Sequence, residues 1–257
     1  MPIDPAILAA PVALAKHITA GAASAPVAIP IQLEMLAVIT SSIGGAMAAR
    51  EKHLDLMGAL GLAVITALGG GLIRDVIMQV GDVYILNQPL ALPVSLGVAA
   101  AVFALPQLLK NQDQLIAILD IFSVGLYSAG GADKAMVYGL EPSVCIMMGF
   151  FTGVGGGMLR DICTGQTPYI FQRGNLYAMT SVAGAAAYIA GVEFFGMWNI
   201  AALVVCVAVT MGLRWLSLRF NIMSPTEVDL TPVAKPIKHV ARAAKTAAPG
   251  KPGSAKK

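Results

Sequence analysis

Three long stretches, residues 56–73, 142–159 and 176–192, contain no Asp, Glu, Lys or Arg, and this constrains the chain more than any other feature. As helices rising about 1.5 Å per residue, they reach or approach the length needed to cross a bilayer core about 30 Å thick. Only 12% of the 257 residues are charged, against about 25% in a soluble domain, so lipid is the main solvent. Apolar runs bounded by charge, proline or polar clusters place seven spans at 31–49, 55–77, 90–108, 115–137, 142–163, 175–192 and 197–216. The first and fourth are exceptions for the acids they carry. The first contains Glu34, and the fourth contains Asp120 and ends near Asp133 and Lys134.

An offset of 86 residues lays the chain on itself without a gap and matches GGGLIRD (69–75) to GGGMLRD (155–161). Between 34–76 and 120–162, 13 of 43 positions are identical, where an Ala- and Gly-rich composition gives about four by chance. Glu34 falls on Asp120 and Asp55 on Glu141, so the acidic exceptions repeat too. A unit of three spans is odd in number, so its second copy enters the membrane from the opposite face. The expected fold is therefore all-α and integral to the membrane: seven transmembrane helices, arranged as 3+3 inverted repeats plus a seventh helix. Its parts are an extramembrane segment 1–30, repeats at 31–110 and 115–195, the seventh helix within 196–220 and a basic tail 221–257. Inverted repeats of this kind belong to transport proteins.

Arg50, Lys52, Lys110, Arg173, Arg214 and Arg219 flank the spans on one side, with Lys16 and Lys134 on the other. The positive-inside rule then puts the N-terminus outside and the C-terminus in the cytoplasm.

The triplets Gly69, Gly70, Gly71 and Gly155, Gly156, Gly157 lie inside hydrophobic helices, where each glycine costs about 1 kcal/mol relative to alanine. One reading is that they break or kink the helices and free backbone carbonyls to line a wet cation path. The other is that small residues let helices approach closely, as in Gly149-x-x-x-Gly153 and along Gly184, Ala187 and Gly191. Arg74 and Arg160 follow about one turn later and must face protein or water, with acidic partners. Antiparallel packing brings Glu34 to the depth of Arg74 and Asp120 to that of Arg160, which predicts two charge layers on either side of the glycines. Purely structural ion pairs fixing helix register remain the alternative. Asp75 and Asp161 project about 100° away from their neighbouring arginines, and no pairing with them is expected. Ser41, Ser42, Thr66, Tyr127, Ser128 and Thr152 are candidate path-lining hydroxyls, although Ser and Thr in membrane helices commonly bond their own backbone.

Other function classes find little support. Cys145, Cys163 and Cys206 lack metal or disulfide spacing and read as small buried hydrophobes. His17, His53 and His239 form no ligand set or triad, and GGGLIRD lacks the lysine and preceding strand of a phosphate loop. Neither an enzyme, nor a resident cofactor, nor a metal site is expected. From Ser224 the sequence is rich in Pro, Ala and Lys, and seven of the seventeen basic residues lie beyond residue 234. Such a tail suits a disordered segment lying on anionic lipid rather than one with a specific nucleic-acid target.

A duplicated Gly-Gly-Gly-x-x-Arg-Asp, each copy in the second helix of a three-helix repeat and followed by a seventh span, resembles the prokaryotic branch of the trimeric intracellular cation (TRIC) channel family. Those three-helix units are also described as glycine-transporter-type domains. The resemblance covers about 31–216 and implies a homotrimer in a plasma membrane, each subunit with its own pore along glycine-kinked helices, passing monovalent cations, chiefly potassium. By motif position, Gly69, Gly70, Gly71, Arg74, Asp75, Gly155, Gly156, Gly157, Arg160 and Asp161 would be pore or gate residues. A carrier of a small amino acid such as glycine, working by alternating access, is the competing transport reading.

Overall fold

The computed structural model describes residues 29–79, 83, 88–105, 113–172 and 176–220. The expectations for most of the N-terminal segment and for the basic tail lie outside the described residues.

The protein is an all-α membrane protein with seven α-helices among the described residues: α1 (Ile31–Glu51), α2 (Leu56–Met78), α3 (Ala91–Ala104), α4 (Asp113–Val137), α5 (Pro142–Cys163), α6 (Tyr177–Glu193) and α7 (Asn199–Arg219). Four of them, α1, α2, α5 and α7, are long and apolar enough to cross a membrane. α4 runs for 25 residues but carries internal charge, and α3 is shorter. Tight connections make α1–α2, α4–α5 and α6–α7 antiparallel hairpins. Large apolar side chains such as Leu72, Val76, Met147, Val204 and Trp215 point outward, while the interior is built largely from Ala, Gly, Ser and Thr. This reverses the distribution of a soluble protein and fits a chain whose surroundings are as apolar as its core.

The repeat is visible atom by atom. Ser42 in α1 hydrogen-bonds Ser95 in α3 at 2.9 Å, and their counterparts 86 residues on, Ser128 in α4 and Ser181 in α6, bond at 2.7 Å. Thr66 and Thr152 each donate to the carbonyl one turn back, Leu62 and Met148, both at 2.6 Å. Gly45 lies so close to α2 that an added Cβ would meet Ala63 Cα and Thr66 Oγ1 at 2.7 Å, and Gly131 lies equally close to Met148 and Thr152 of α5. The turns repeat as well, with different residues. The positive-φ positions closing α4 and α5 are Gly139 and Gly165, both at φ 70°, whereas α1 and α2 end on His53 (55°) and Gln79 (51°). α7 has no counterpart and packs on α4 and α6 of the second repeat.

Candidate functional site

The centre of the molecule is where α2 crosses α5. Each runs as one α-helix straight through its glycine triplet, so the expected interruption with freed carbonyls is not found. The physical reason lies in the packing. A Cβ on Gly70 would collide with the Thr152 carbonyl, and one on Gly156 with the Thr66 carbonyl. Thr66 and Thr152 are repeat counterparts, as are Gly70 and Gly156, so the crossing is reciprocal about a two-fold axis. Close approach recovers packing contacts that the bare glycines would otherwise forgo, and the helices keep their own hydrogen bonds. Gly69 faces the Leu159 side chain, 2.6 Å from a built Cβ, and Gly155 faces both the Ile73 side chain at 3.0 Å and the Gly70 Cα at 3.1 Å.

A buried charge network lies beyond the crossing at each end. At the first, Arg74 Nε donates to Asp75 Oδ1 at 2.7 Å, and Lys134 Nζ of α4 reaches the same oxygen at 2.7 Å. Beside it, the carboxylate of Asp133 accepts from Tyr188 OH at 2.7 Å and from Asn199 Nδ2 at 2.9 Å, joining α4 to α6 and α7. At the second end, Arg160 contacts Asp161 Oδ1 through Nε and Nη2, both at 3.0 Å, and Asp120 Oδ1 through Nη1 at 3.5 Å. Tyr177 OH donates to Asp120 Oδ2 at 3.2 Å, and Asp161 Oδ2 accepts the Tyr169 backbone N–H at 2.9 Å. The adjacent aspartates are therefore partners of their arginines, against the expectation from helical angle. An arginine side chain long enough to turn back presents Nε, close to its own backbone, to the neighbouring carboxylate.

Both networks border cavities, and the cavities are repeat counterparts. One, about 30 Å³, is lined by Glu34, Gly71, Arg74, Tyr127, Gly130 and Thr152 among others. The other, about 510 Å³, is lined by Gly44, Glu51, Asp120, Arg160, Tyr169, Tyr177 and Arg214 among others. The smaller has room for a water or two, while the larger is a vestibule. Glu34 and Arg74 share a cavity wall, yet no ion pair joins them among the described residues; Asp120 and Arg160 do pair. Of the candidate hydroxyls, Tyr127 and Thr152 border the small cavity, and Tyr127 donates to the Ala67 carbonyl at 2.6 Å. Ser42, Thr66 and Ser128 are spent on the bonds described above, and Ser41 is buried.

Several participants went unseen in the sequence. Lys134 and Arg214 flank apolar spans in the sequence, but Lys134 is in an ion pair and Arg214 is buried. Their signal was position, since both fall at the edge of an apolar span. Removing them leaves Arg50, Lys52, Lys110, Arg173 and Arg219 against Lys16, so the bias keeps its direction. Tyr169, Tyr177, Tyr188 and Asn199 carry no periodic signal at all. Cys145 and Cys206 are buried as expected, but Cys163, at the end of α5, is exposed.

The sequence model of the glycine transporter family matches residues 31–107 and again 117–193. The chain belongs to this family. Its two copies are the two repeats, displaced by the same 86 residues. Among solved structures it is similar to the TRIC trimeric intracellular cation channel orthologue of Rhodobacter sphaeroides, with 30% identity and a TM-score of 0.69, covering 75% of this chain and 98% of that one. The fold is that of the prokaryotic TRIC channels. Relatives by sequence include a UPF0126 membrane protein of Deinococcus radiodurans, 32% identical over 60% of this chain and 73% of that one. Another is the UPF0126 inner membrane protein YadS of Escherichia coli K12, 27% identical over 76% and 94%.

Proposed function

We propose that this family member is a cation channel of a bacterial inner membrane, conducting monovalent cations, potassium first among them, through a path within each subunit of a homotrimer. The observation that carries the reading is the pair of counterpart cavities, each with an arginine and an acid in its wall, on either side of the α2–α5 crossing. Joined through the crossing, they form a route from one face to the other. Gly69 to Gly71 and Gly155 to Gly157 are its narrowest part, and the arginine–aspartate pairs flank it. With one cavity nearly closed and the other wide, the path is shut at the Glu34–Arg74 end. The similarity to a TRIC channel over 98% of that chain supports the same reading and the trimer. An N-terminus outside and a C-terminus in the cytoplasm follow from the charge bias, and this orientation turns the wide vestibule toward the cytoplasm.

Unequal cavities also suit a carrier that opens to one side at a time, with a small zwitterion such as glycine as cargo. Reconstitution into liposomes, with potassium flux and glycine uptake measured in parallel, separates the two. The channel reading expects potassium flux with discrete single-channel currents and no glycine accumulation. Saturable glycine uptake without potassium current overturns it.

A further inference from the structure

Arg214 of α7 is an anomaly in the wide vestibule. The residue is only 7% exposed, yet no carboxylate pairs with it among the described residues. Its guanidinium lies 5.3 Å from the ring centroids of both Tyr169 and Tyr177, which meet edge to face. Nη2 donates to Tyr169 OH at 3.1 Å, while Nε and Nη1 have no hydrogen-bond partner. Two aromatic faces therefore hold the group in place without neutralising it. A guanidinium stays charged even when buried, so its field reaches the cavity undiminished by a counter-ion. Arg160, by contrast, is shared by Asp120 and Asp161.

The vestibule wall and its immediate partners comprise Glu51, Asp120 and Asp161 against Arg160 and Arg214. This leaves one net negative charge; without Arg214 there would be two. We infer that Arg214 is a specificity-determining residue of the cation path, setting how tightly the vestibule holds a cation. Conduction needs a site attractive enough to be entered and weak enough to be left. A fixed positive charge on the one helix outside the repeats adjusts that balance at the vestibule end, whereas α7 brings the apolar Leu203 to the wall of the counterpart cavity.

The inference rests on the channel reading, and the experiment keeps the two apart. Potassium flux into liposomes is measured over a range of potassium concentrations for the full chain, Arg214→Gln, Arg214→Lys and Glu51→Gln, with monodispersity in detergent checked for each. Arg214→Gln is expected to lower the half-saturating concentration about threefold or more and raise flux at low potassium. Arg214→Lys, which keeps the charge, restores the wild-type half-saturation. Glu51→Gln, at an exposed position where folding is not at stake, moves it the opposite way. If Arg214→Gln and Arg214→Lys scale maximal flux alike with half-saturation unmoved, or if Glu51→Gln leaves it unmoved, the electrostatic role is refuted. A wild type that carries no cation refutes the channel reading itself, and this inference with it.

Discussion

Replacing Gly70 or Gly156 by alanine tests the central crossing most directly. A methyl at either position meets a backbone carbonyl of the other helix well inside the 3.4 Å at which ordinary contact begins. Backbone cannot rotate away as a side chain can. α2 and α5 must part by roughly 1 Å, and overpacking of this kind costs about 1–3 kcal/mol. Against that stands a gain of up to about 1 kcal/mol in helix propensity for Gly→Ala. The net expectation is a loss of about 1–2 kcal/mol for either variant. Because the contacts are reciprocal, the two losses should be similar. Gly212, on the exposed face of α7 with nothing within 4 Å of a built Cβ, is the matched control and should keep or gain stability as alanine. Thermal unfolding in detergent, followed by the loss of the monodisperse peak, reads all three. Potassium flux should fall in the two crossing variants if the path runs through this contact. The reasoning fails if Gly70→Ala and Gly156→Ala melt with the wild type, or if Gly212→Ala loses as much as they do.

Other variants probe the surrounding structure. His53 and Gln79 occupy left-handed positions where the second repeat has Gly139 and Gly165, and such a residue costs about 1–2 kcal/mol. His53→Gly should therefore raise the melting temperature and Gly139→Ala lower it, in the same assay. Tyr188→Phe removes one of the donors to the buried Asp133 carboxylate and should cost about 1.5–3 kcal/mol, with wild-type-like behaviour counting against a buried charge there. Asp75→Asn leaves Arg74 and Lys134 sharing a neutral group, a loss of about 3–5 kcal/mol that adding Lys134→Met should partly relieve in a double-mutant cycle.

Much of the architecture could be read from the chain because the membrane imposes long charge-free stretches and the duplication writes the same motif twice. Glu34 and Asp120 stood out as acids in lipid, and the depth argument brought Asp120 to Arg160. Local geometry alone does not decide the remaining features, because tertiary contacts override it. Triplet glycines suggest a break when α2 is considered alone, but the Thr152 carbonyl arriving from α5 makes an unbroken helix the better packed state. Helical angle separates the starting points of Arg74 and Asp75, but an arginine bends far enough to bring Nε to its neighbour's carboxylate. Arg214 looks like a flanking charge in the sequence, since no pattern there announces two tyrosines, from a connection and from another helix, closing over it.

The reciprocity of the crossing has a further consequence. Each half presents to the other the same surface it receives, so the join between halves is self-complementary in the manner of a symmetric dimer. With its own hydroxyl clasp and its own helical hairpin, a half-length chain inserting in both orientations would hold the glycine–threonine contacts with which to meet an upside-down copy of itself. The fused protein gains the freedom to let the two ends diverge, and the buried Arg214 on its unpaired last helix is one product of that freedom.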